Sequence, residues 1–256
     1  MSRWTPGDDL RFHVGDLRAL LTGRTKLIVI NFPHNPTGET ISKADLEEIA
    51  GIAKEKGIFL FSDEMYRLLE YDENDRLPPV CEIYDNGISL SGLSKTFGLP
   101  GLRMGWLATR NKTVQSALAA FKDYTTICNS APGEILSLIA LRNSERLRAR
   151  SLGIIKANLK IIETFAARHC GWLDWKSPKA GPIAFPGVKF RESAAEFCAA
   201  LVKEAGIMLL PSEVYGYERE CVRIGFGRKN VPEILEALET YLKKKGYRTS
   251  VRPRRL

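Results

Sequence analysis

The sequence predicts an α/β protein built on a mostly parallel sheet, and three consecutive stretches carry this prediction. The segment KLIVIN, beginning at Lys26, is a continuous apolar run typical of a parallel strand buried on both faces. Apolar residues at helical spacing follow between Ser42, a candidate N-cap, and Gly57, a candidate stop. A second apolar run, IFLF, follows Gly57 and leads into Asp63. Strand, loop, helix and strand in this order form a βαβ unit with parallel strands.

The rest of the chain continues the pattern and divides into two parts. Predicted strands lie in GISL, MGWLAT, IAFPGVKF, IMLLP and CVRIGF, and predicted helices cover residues 112–122, 132–169, 194–205 and 231–245. Residues 144–169 form a long amphipathic helix whose basic residues we expect on a solvated face. We place a boundary near residue 155, between a larger domain over 1–155 and a small C-terminal α/β domain over 156–256.

Composition excludes several classes of protein. The chain has 256 residues, of which 44% are hydrophobic and 27% charged, as in an ordinary globular protein. It has no apolar run of the roughly 18–20 residues that a membrane span needs, and no apolar leader at its N-terminus. Its five cysteines are scattered without a close pair, which argues against a zinc site or a disulfide framework. We therefore expect a cytoplasmic protein without a metal site.

The formal net charge of +8 predicts a basic but ordinary surface. Part of the excess lies in the C-terminal tail between Lys243 and Arg255. Such a tail attracts polyanions weakly, but it has neither interleaved aromatic residues nor a helix-turn-helix pattern. We expect no specific nucleic-acid binding.

Polar and charged side chains follow the ends of three predicted strands. Asn35 lies in HNPTG, Asp63 and Tyr66 lie in SDEMYR, and Lys95 and Arg103 lie in SKTFGLPGLR. Taken singly, each has an ordinary explanation as a turn former, a helix cap, a packing residue or a surface cation. Taken together they share one rim, because ligands of an open parallel sheet bind beyond the carboxyl ends of its strands.

This set suits an imine-bound pyridine. The amine of Lys95 can form an imine with an aldehyde, and the Asp63 carboxylate can keep a pyridine nitrogen protonated. At an effective dielectric of about 20, such a contact is worth on the order of 4 kcal/mol before desolvation. Tyr66 and Asn35 can hydrogen-bond a phenolate oxygen. These are the partners that a lysine-bound pyridoxal phosphate (PLP) requires.

Arg103 and Ser94 add a phosphate-binding element. A guanidinium offers a bidentate fork for a phosphate group. The segment between Lys95 and Arg103 is punctuated by glycines and Pro100, which can fold the arginine back towards the lysine. The residues therefore predict PLP as the cofactor.

Four segments together resemble the class I/II aminotransferases, the fold-type I PLP-dependent enzymes related to aspartate aminotransferase. The segments are NFPHNPTG, SDEMYRLLEYD, SGLSKTFGLPGLRMGW and CVRIGFG. The resemblance implies a partial large PLP-binding domain over 1–155 and a small domain over 156–256. It also implies transfer of an amino group between an amino acid and a 2-oxo acid, and a homodimer for the complete enzyme.

The resemblance assigns the cofactor roles residue by residue. Lys95 resembles the Schiff-base lysine, which also moves the proton, and Asp63 the partner of the pyridine nitrogen. Tyr66 and Asn35 resemble the residues that bind the phenolic oxygen. Arg103 and Ser94 resemble phosphate ligands, and Arg223, helped by Asn35, resembles the arginine that binds the substrate α-carboxylate.

Two departures from the family pattern affect these assignments. Many relatives have a serine three positions before the lysine, where this chain has Gly92, so the phosphate contact on this side falls to Ser94. Only about thirty residues precede Asn35, too few for the phosphate loop, the stacking aromatic ring and the arm that relatives carry there. We therefore expect an N-terminally truncated fragment with exposed apolar sheet surface, unpaired edges and weak or no activity alone.

Two other functions stay open. A PLP-dependent lyase, synthase or decarboxylase would use the same residues on the same fold, and a non-catalytic aminotransferase-like fragment would use none of them. The three histidines suggest no further chemistry: we expect a structural role for His34, and surface positions for His13 and His169. The sequence does not specify which amino acid is used.

Overall fold

The computed structural model describes residues 1–7 and 9–247. The predicted basic tail therefore lies outside the described residues from position 248 onward. The helices are α1 (Val14–Leu20), α2 (Lys43–Glu55), α3 (Val80–Ile83), α4 (Lys112–Thr125), α5 (Ala131–Arg142), α6 (Ser144–Arg168), α7 (Ala194–Ala205) and α8 (Val231–Lys244). The strands are β1 (Leu27–Asn31), β2 (Phe59–Asp63), β3 (Gly87–Gly92), β4 (Gly105–Ala108), β5 (Leu173–Asp174), β6 (Ile183–Ala184), β7 (Gly187–Val188), β8 (Leu210–Pro211) and β9 (Val222–Gly225).

The described chain forms two compact units. Unit 1 comprises Met1–His34 and Glu39–Ser151, and unit 2 comprises Asn35–Gly38 and Leu152–Leu256. The division falls within α6, close to the boundary predicted near residue 155. The identification of these units with a large PLP-binding domain and a small domain stays a prediction.

Unit 1 contains a four-stranded sheet in the order β1-β2-β3-β4, in which the first three strands are parallel and β4 is antiparallel to β3. The predicted α/β class and the βαβ unit are therefore confirmed. Helix α2 begins where predicted, because the Ser42 hydroxyl accepts from the Asp45 N–H and the Asp45 carboxylate accepts from the Ser42 N–H. Gly57, with φ of 61°, follows the helix as its stop.

The apolar run of β1 is buried on one face only, which corrects the prediction of two-sided burial. Ile28 and Ile30 pack in a core with α1, α2 and α3. Leu27 and Val29, on the other face, are 48% and 63% exposed. All three helices of that core cover the same side of the sheet, so an uninterrupted apolar sequence does not by itself show that both faces are covered.

Helix α5 is packed through its small residues and exposes its large ones. Gly133, Ser137 and Ala140 are buried, whereas five large apolar residues of the same helix are exposed. A helix that is apolar all round is normally enclosed. We define the α4–α5 apolar face by its exposed members: Phe121, Tyr124, Ile127, Ile135, Leu138 and Ile139. The expectation of exposed apolar sheet surface is met at Leu27 and Val29, and the α4–α5 apolar face adds exposed apolar surface that lies on the two helices and their connection.

A cavity of about 500 Å³ separates β4 from α4. It is lined by apolar side chains that include Trp106, Leu118 and Phe121. No residue of α4 is buried, so this helix rests only loosely on its own unit. Exposed apolar residues therefore extend beyond the α4–α5 apolar face to the edge strand β4, at Trp106 and Leu107.

Unit 2 has a core of its own. A three-stranded sheet in the order β6-β9-β8 lies with a two-stranded β5-β7 pair, and α7 and α8 pack through Phe197, Leu201 and Leu242. His169 is only 1% exposed, so its predicted surface position is wrong. Its ring packs on Phe165 at 4.2 Å between centroids, because the end of α6 turns into the core rather than to solvent.

None of the described helices combines the length and the apolar character needed to cross a lipid bilayer. Over the same residues, histidine, cysteine, aspartate and glutamate side chains form no cluster suited to a metal ion.

Candidate active site

Asp63 occupies the carboxyl edge of the sheet in unit 1. It is the last residue of β2, and its register partners are Asn31 on β1 and Leu90 on β3. The Asn31 side chain donates to the Asp63 carbonyl oxygen at 3.0 Å, and Asp63 Oδ1 accepts from the Met65 N–H at 3.1 Å. Asn31 thus holds the backbone of Asp63, and the Met65 N–H holds its half-buried carboxylate at the strand end, where ligands of parallel sheets bind.

Tyr66 and Lys95 come together in unit 1. Tyr66 is buried in the segment that follows β2. The Lys95 Nζ atom lies 5.8 Å from the centroid of the Tyr66 ring, within the range of a cation–π contact. The structure therefore joins two residues that the sequence only placed on the same rim.

The turn that carries Lys95 is anchored on both sides of the lysine. Leu93 and Phe97 are buried together with Ala140. The Leu99 N–H donates to the Leu93 carbonyl at 3.0 Å, so the chain returns upon itself around Lys95. Because the flanking apolar residues point into the core, the lysine side chain is left exposed at the edge of the sheet.

A pair of glycines explains why this chain has Gly92, and not a serine, three positions before Lys95. Gly92 and Gly105 face each other where β3 meets β4. A Cβ on Gly92 would lie 2.9 Å from the Met104 carbonyl oxygen, and one on Gly105 would lie 2.9 Å from the Ser91 carbonyl oxygen. Both positions are too close for a side chain, so the backbone approach of the two strands requires glycine.

The predicted phosphate ligands Ser94 and Arg103 lie in the turn of Lys95 and in the loop that follows it. Ser94 is half-buried, next to Lys95 in the turn. Arg103 has a left-handed backbone with φ of 53°, and its exposed guanidinium donates to the Pro100 carbonyl at 3.1 Å. The arginine is thus turned onto its own loop, and the phosphate role of Ser94 and Arg103 stays a prediction.

Asn35 and Arg223 meet in unit 2. Arg223 lies on β9, and its Nη1 donates to Asn35 Oδ1 at 3.2 Å. The guanidinium also lies 5.9 Å from the centroid of the Tyr215 ring. The predicted partnership of these two residues is thus present as a direct hydrogen bond, with an aromatic ring beside it.

Gly38 ties the HNPTG segment to unit 2. The Gly38 carbonyl accepts from the backbone N–H groups of Lys179 and Ala180 at 2.9 and 3.0 Å. Gly38 has φ of 71°, and a Cβ there would lie 2.5 Å from Pro178 Cβ. The segment therefore depends on glycine at this position, and it holds Asn35 where Arg223 can reach it.

Three residues near these groups were not predicted. Thr96 and Arg150 contact the turn of Lys95, and Tyr215 contacts Arg223. Thr96 follows the lysine directly, so its position in the sequence was a usable signal. The sequence around Arg150 and Tyr215 contained no such signal, because each contacts its partner only after a distant helix or turn has folded next to it.

The pKa values of two groups near these residues, the half-buried His34 and the buried Glu64, are shifted by burial. Burial lowers the pKa of His34 to about 4, so the imidazole is neutral at pH 7 and packs against Phe12 at 4.7 Å, as a structural residue would. Burial raises the pKa of Glu64, which accepts from the Ser89 hydroxyl at 2.7 Å and the Val80 N–H at 3.0 Å. Glu64 directly follows β2, and its contacts with Val80 at the start of α3 and with Ser89 place it on the helix-covered face.

Comparisons with known proteins agree with the motifs. The family model described as aminotransferase class I and II matches residues 2–239. Capreomycidine synthase from Streptomyces vinaceus is 31% identical over 211 residues, which cover 82% of this chain and 54% of that protein. Aromatic-amino-acid aminotransferase 2 from Thermococcus litoralis is 30% identical over 251 residues, which cover 93% of this chain and 62% of that protein.

A solved PLP-dependent aminotransferase from Streptococcus suis has the same fold. It aligns with a TM-score of 0.87 at 30% identity, over 96% of this chain and 65% of that one. The chain thus spans 54% to 65% of the length of these three relatives. With a family match over nearly all its residues, this chain belongs to the class I and II aminotransferases, and its fold is that of the fold-type I enzymes.

Proposed function

We propose that this protein is a PLP-dependent aminotransferase that moves an amino group between an amino acid and a 2-oxo acid. The observation that carries the proposal is the placement of the exposed Lys95 amine over the Tyr66 ring, in the turn after β3. Asp63 ends the neighbouring strand of the same sheet. Family membership supports the same activity.

The residues of unit 1 fit the cofactor by their chemistry. The exposed Lys95 amine suits an aldehyde, the anchored Asp63 carboxylate suits a pyridine nitrogen, and the Tyr66 phenol suits a ring oxygen. Ser94 and Arg103 would hold the phosphate, for which arginine supplies a fork of donors. By the family pattern, Asn35 would also hydrogen-bond the ring oxygen.

When bound, PLP supplies a protonated ring that withdraws electrons from the α-carbon of the amino acid. The Asp63 carboxylate would keep the proton on the ring nitrogen, an interaction on the order of 4 kcal/mol at an effective dielectric of about 20. Lys95 Nζ would take the proton from the α-carbon of the amino acid, hold it and deliver it to the cofactor carbon that carried the aldehyde. The Tyr66 hydroxyl would donate a hydrogen bond to the ring oxygen.

Arg223 would bind the α-carboxylate common to amino acids and 2-oxo acids. Arginine pairs with a carboxylate through two parallel N–H donors. The hydrogen bond to Asn35 and the contact with Tyr215 hold the guanidinium on one side. Arg223 would not select among amino-acid side chains, because every amino acid offers the same carboxylate.

We further propose that the complete enzyme is a cytoplasmic homodimer without specific nucleic-acid ligands. The α4–α5 apolar face is of the kind that soluble proteins cover with another polypeptide. None of the five cysteines, all of which lie in the described part of the chain, forms a disulfide, which is consistent with a reducing compartment.

A second candidate function is a PLP-dependent lyase or synthase. It is favoured by the 31% identity to a protein named capreomycidine synthase. The same lysine, carboxylate and phenol serve both reactions, and the orientation of the substrate decides which bond breaks. A non-catalytic role is the remaining alternative.

Tracing the amino nitrogen separates these functions. The protein is incubated with PLP, a ¹⁵N-labelled amino acid and an unlabelled 2-oxo acid, and the products are analysed by mass spectrometry. Label in the amino acid derived from the added oxo acid supports an aminotransferase. Consumption of the labelled substrate without transfer supports a lyase or synthase, and no consumption with a panel of amino acids contradicts both. Lys95→Ala is the control that should be inactive.

A further inference from the structure

We propose that Thr96 is a positioning residue, whose hydroxyl ties the turn of Lys95 to the segment of Tyr66 and thereby sets where the lysine amine stands. The inference rests on the proposed function, in which Lys95 holds the cofactor. It concerns a residue that neither touches the cofactor nor takes part in proton transfer.

The contacts of Thr96 bracket Tyr66. Thr96 is 3% exposed, and its Oγ1 donates to the Arg67 carbonyl at 2.6 Å. The Met65 carbonyl lies 3.4 Å from the same oxygen. These carbonyls belong to the residues immediately before and after Tyr66. One buried hydroxyl therefore connects the residue after Lys95 to the backbone on both sides of the phenol.

A second hydrogen bond, from the exposed Arg150, also holds the turn of Lys95. Arg150 Nη2 donates to the Phe97 carbonyl at 3.1 Å. Gly98, with φ of 67°, makes room for the guanidinium, since a Cβ there would lie 2.8 Å from Arg150 Nη2. The Gly98 N–H donates to the Lys95 carbonyl at 3.0 Å and closes the turn. Because Arg150 is exposed, water competes for its hydrogen bond. The hydrogen bond of the buried Thr96 hydroxyl therefore holds the turn more firmly.

The tie matters because lysine has a long flexible side chain. The four-carbon stem alone does not hold Nζ at one place. The positions open to Nζ are therefore restricted by the backbone, and Nζ stays within reach of the Tyr66 ring only while the backbone at Lys95 is held close to Tyr66. Removing the Thr96 hydroxyl would leave the Arg67 carbonyl without this donor and free the two segments to separate.

Reductive ¹³C-methylation of the lysines gives a direct readout in the absence of cofactor. The methyl signals of Lys95 are assigned by their loss in Lys95→Arg. Relative to the methyl signals of exposed lysines, they should be shifted upfield by the ring current of Tyr66. Tyr66→Leu should abolish the shift, which identifies its source. Thr96→Val keeps the shape but lacks the hydroxyl, and we expect it to lose at least half of the shift. Thr96→Ser keeps the hydroxyl and should restore it.

The matched control is Tyr84→Phe, which removes another buried hydroxyl that donates to a backbone carbonyl, that of Ile58 at 2.9 Å. It should leave the Lys95 signal unchanged. Full retention of the shift in folded Thr96→Val, or its equal loss in Thr96→Ser, would overturn the proposal. Thr96→Ala serves the same comparison if the valine variant does not fold. Failure of the proposed function is a separate outcome, because it appears as absence of PLP labelling at Lys95 and does not alter the methyl shift.

Discussion

Arg223 and Asn35, which stand 188 positions apart in the chain, are joined by a hydrogen bond of 3.2 Å from Nη1 to Oδ1. Asn35 belongs to a four-residue segment that separates from its chain neighbours and joins unit 2. The segment Asn35–Gly38 thus contributes the Asn35 amide to unit 2, which also carries Arg223, the residue that we propose binds the carboxylate. Variants of Arg223 therefore test whether this pair binds the substrate.

Replacing Arg223 should weaken substrate binding rather than cofactor binding. We expect Arg223→Lys to raise the KM for the amino acid and for the 2-oxo acid about 10²-fold, because lysine cannot form the bidentate pair. PLP loading, followed by absorbance titration, should stay unchanged. The control is Arg219→Lys in the same unit, where Arg219 binds Asp174 at 2.7 Å. Equal effects of the two variants would contradict the role assigned to Arg223.

Gly38 should tolerate no side chain. Gly38→Ala forces a left-handed alanine against Pro178 Cβ and the Ile183 carbonyl, at 2.5 and 2.6 Å. We expect a loss of roughly 2–4 kcal/mol in the free energy of unfolding, from backbone strain and overpacking. Gly153→Ala, within α6 and with open space around it, should instead gain about 0.5–1 kcal/mol. Urea unfolding of both variants measures the difference, and similar midpoints would refute the account of the HNPTG segment.

Acid should weaken unit 1 through His34. Its pKa is about 4 in the fold and 6.5 as the ordinary value, so the unfolded chain binds the proton first as the pH falls. The contribution of His34 to the free energy of unfolding is fully present above about pH 6.5, declines as the pH falls from there to about 4, and has by then dropped by up to about 3 kcal/mol.

Unfolding curves of the wild type and of His34→Leu between pH 7 and pH 4 test this expectation. The leucine variant should lose less stability over that range, and His13→Gln, at an exposed position, should behave like the wild type. The pKa of His169 is also lowered by burial, so some acid sensitivity should persist in every variant. An identical pH profile for His34→Leu and the wild type would rule out His34 as the source.

The α4–α5 apolar face should drive association. Charge introduced by the double change Ile135→Glu and Ile139→Glu, at side chains 62% and 51% exposed, should shift the protein to smaller species in sedimentation velocity. Met208→Glu places a charge on a 73% exposed apolar residue of unit 2 and serves as the control. A wild-type chain that stays monomeric at high concentration would contradict this role of the face.

The sequence predicted best what depends on local rules. The start of α2 at Ser42 and its stop at Gly57 follow from capping chemistry, and the structure has both where expected. The partnership of Asn35 with Arg223 followed from the family resemblance, whereas chemistry at the strand ends placed Lys95 and Tyr66 only on the same rim of the sheet.

What the sequence could not predict depends on the path of distant segments. The helical pattern over 132–169 hid a break at Asn143, which separates α5 from α6. Burial of His169 and contact of Arg150 with the lysine turn are set by where α6 lies, and no local signal records it. The outward direction of the large residues of α5 was also hidden, since periodicity shows an apolar helix but not which of its sides is covered.

The central claim is that Lys95 is the residue that binds PLP, and reductive trapping tests it most directly. The chain is incubated with PLP, treated with borohydride, digested and analysed by peptide mass spectrometry. The account predicts a single reduced PLP label on the peptide that contains Lys95, lost in Lys95→Ala and retained in Lys112→Ala, a surface control. A label spread evenly over exposed lysines, or one that persists in Lys95→Ala with the same stoichiometry, would contradict it.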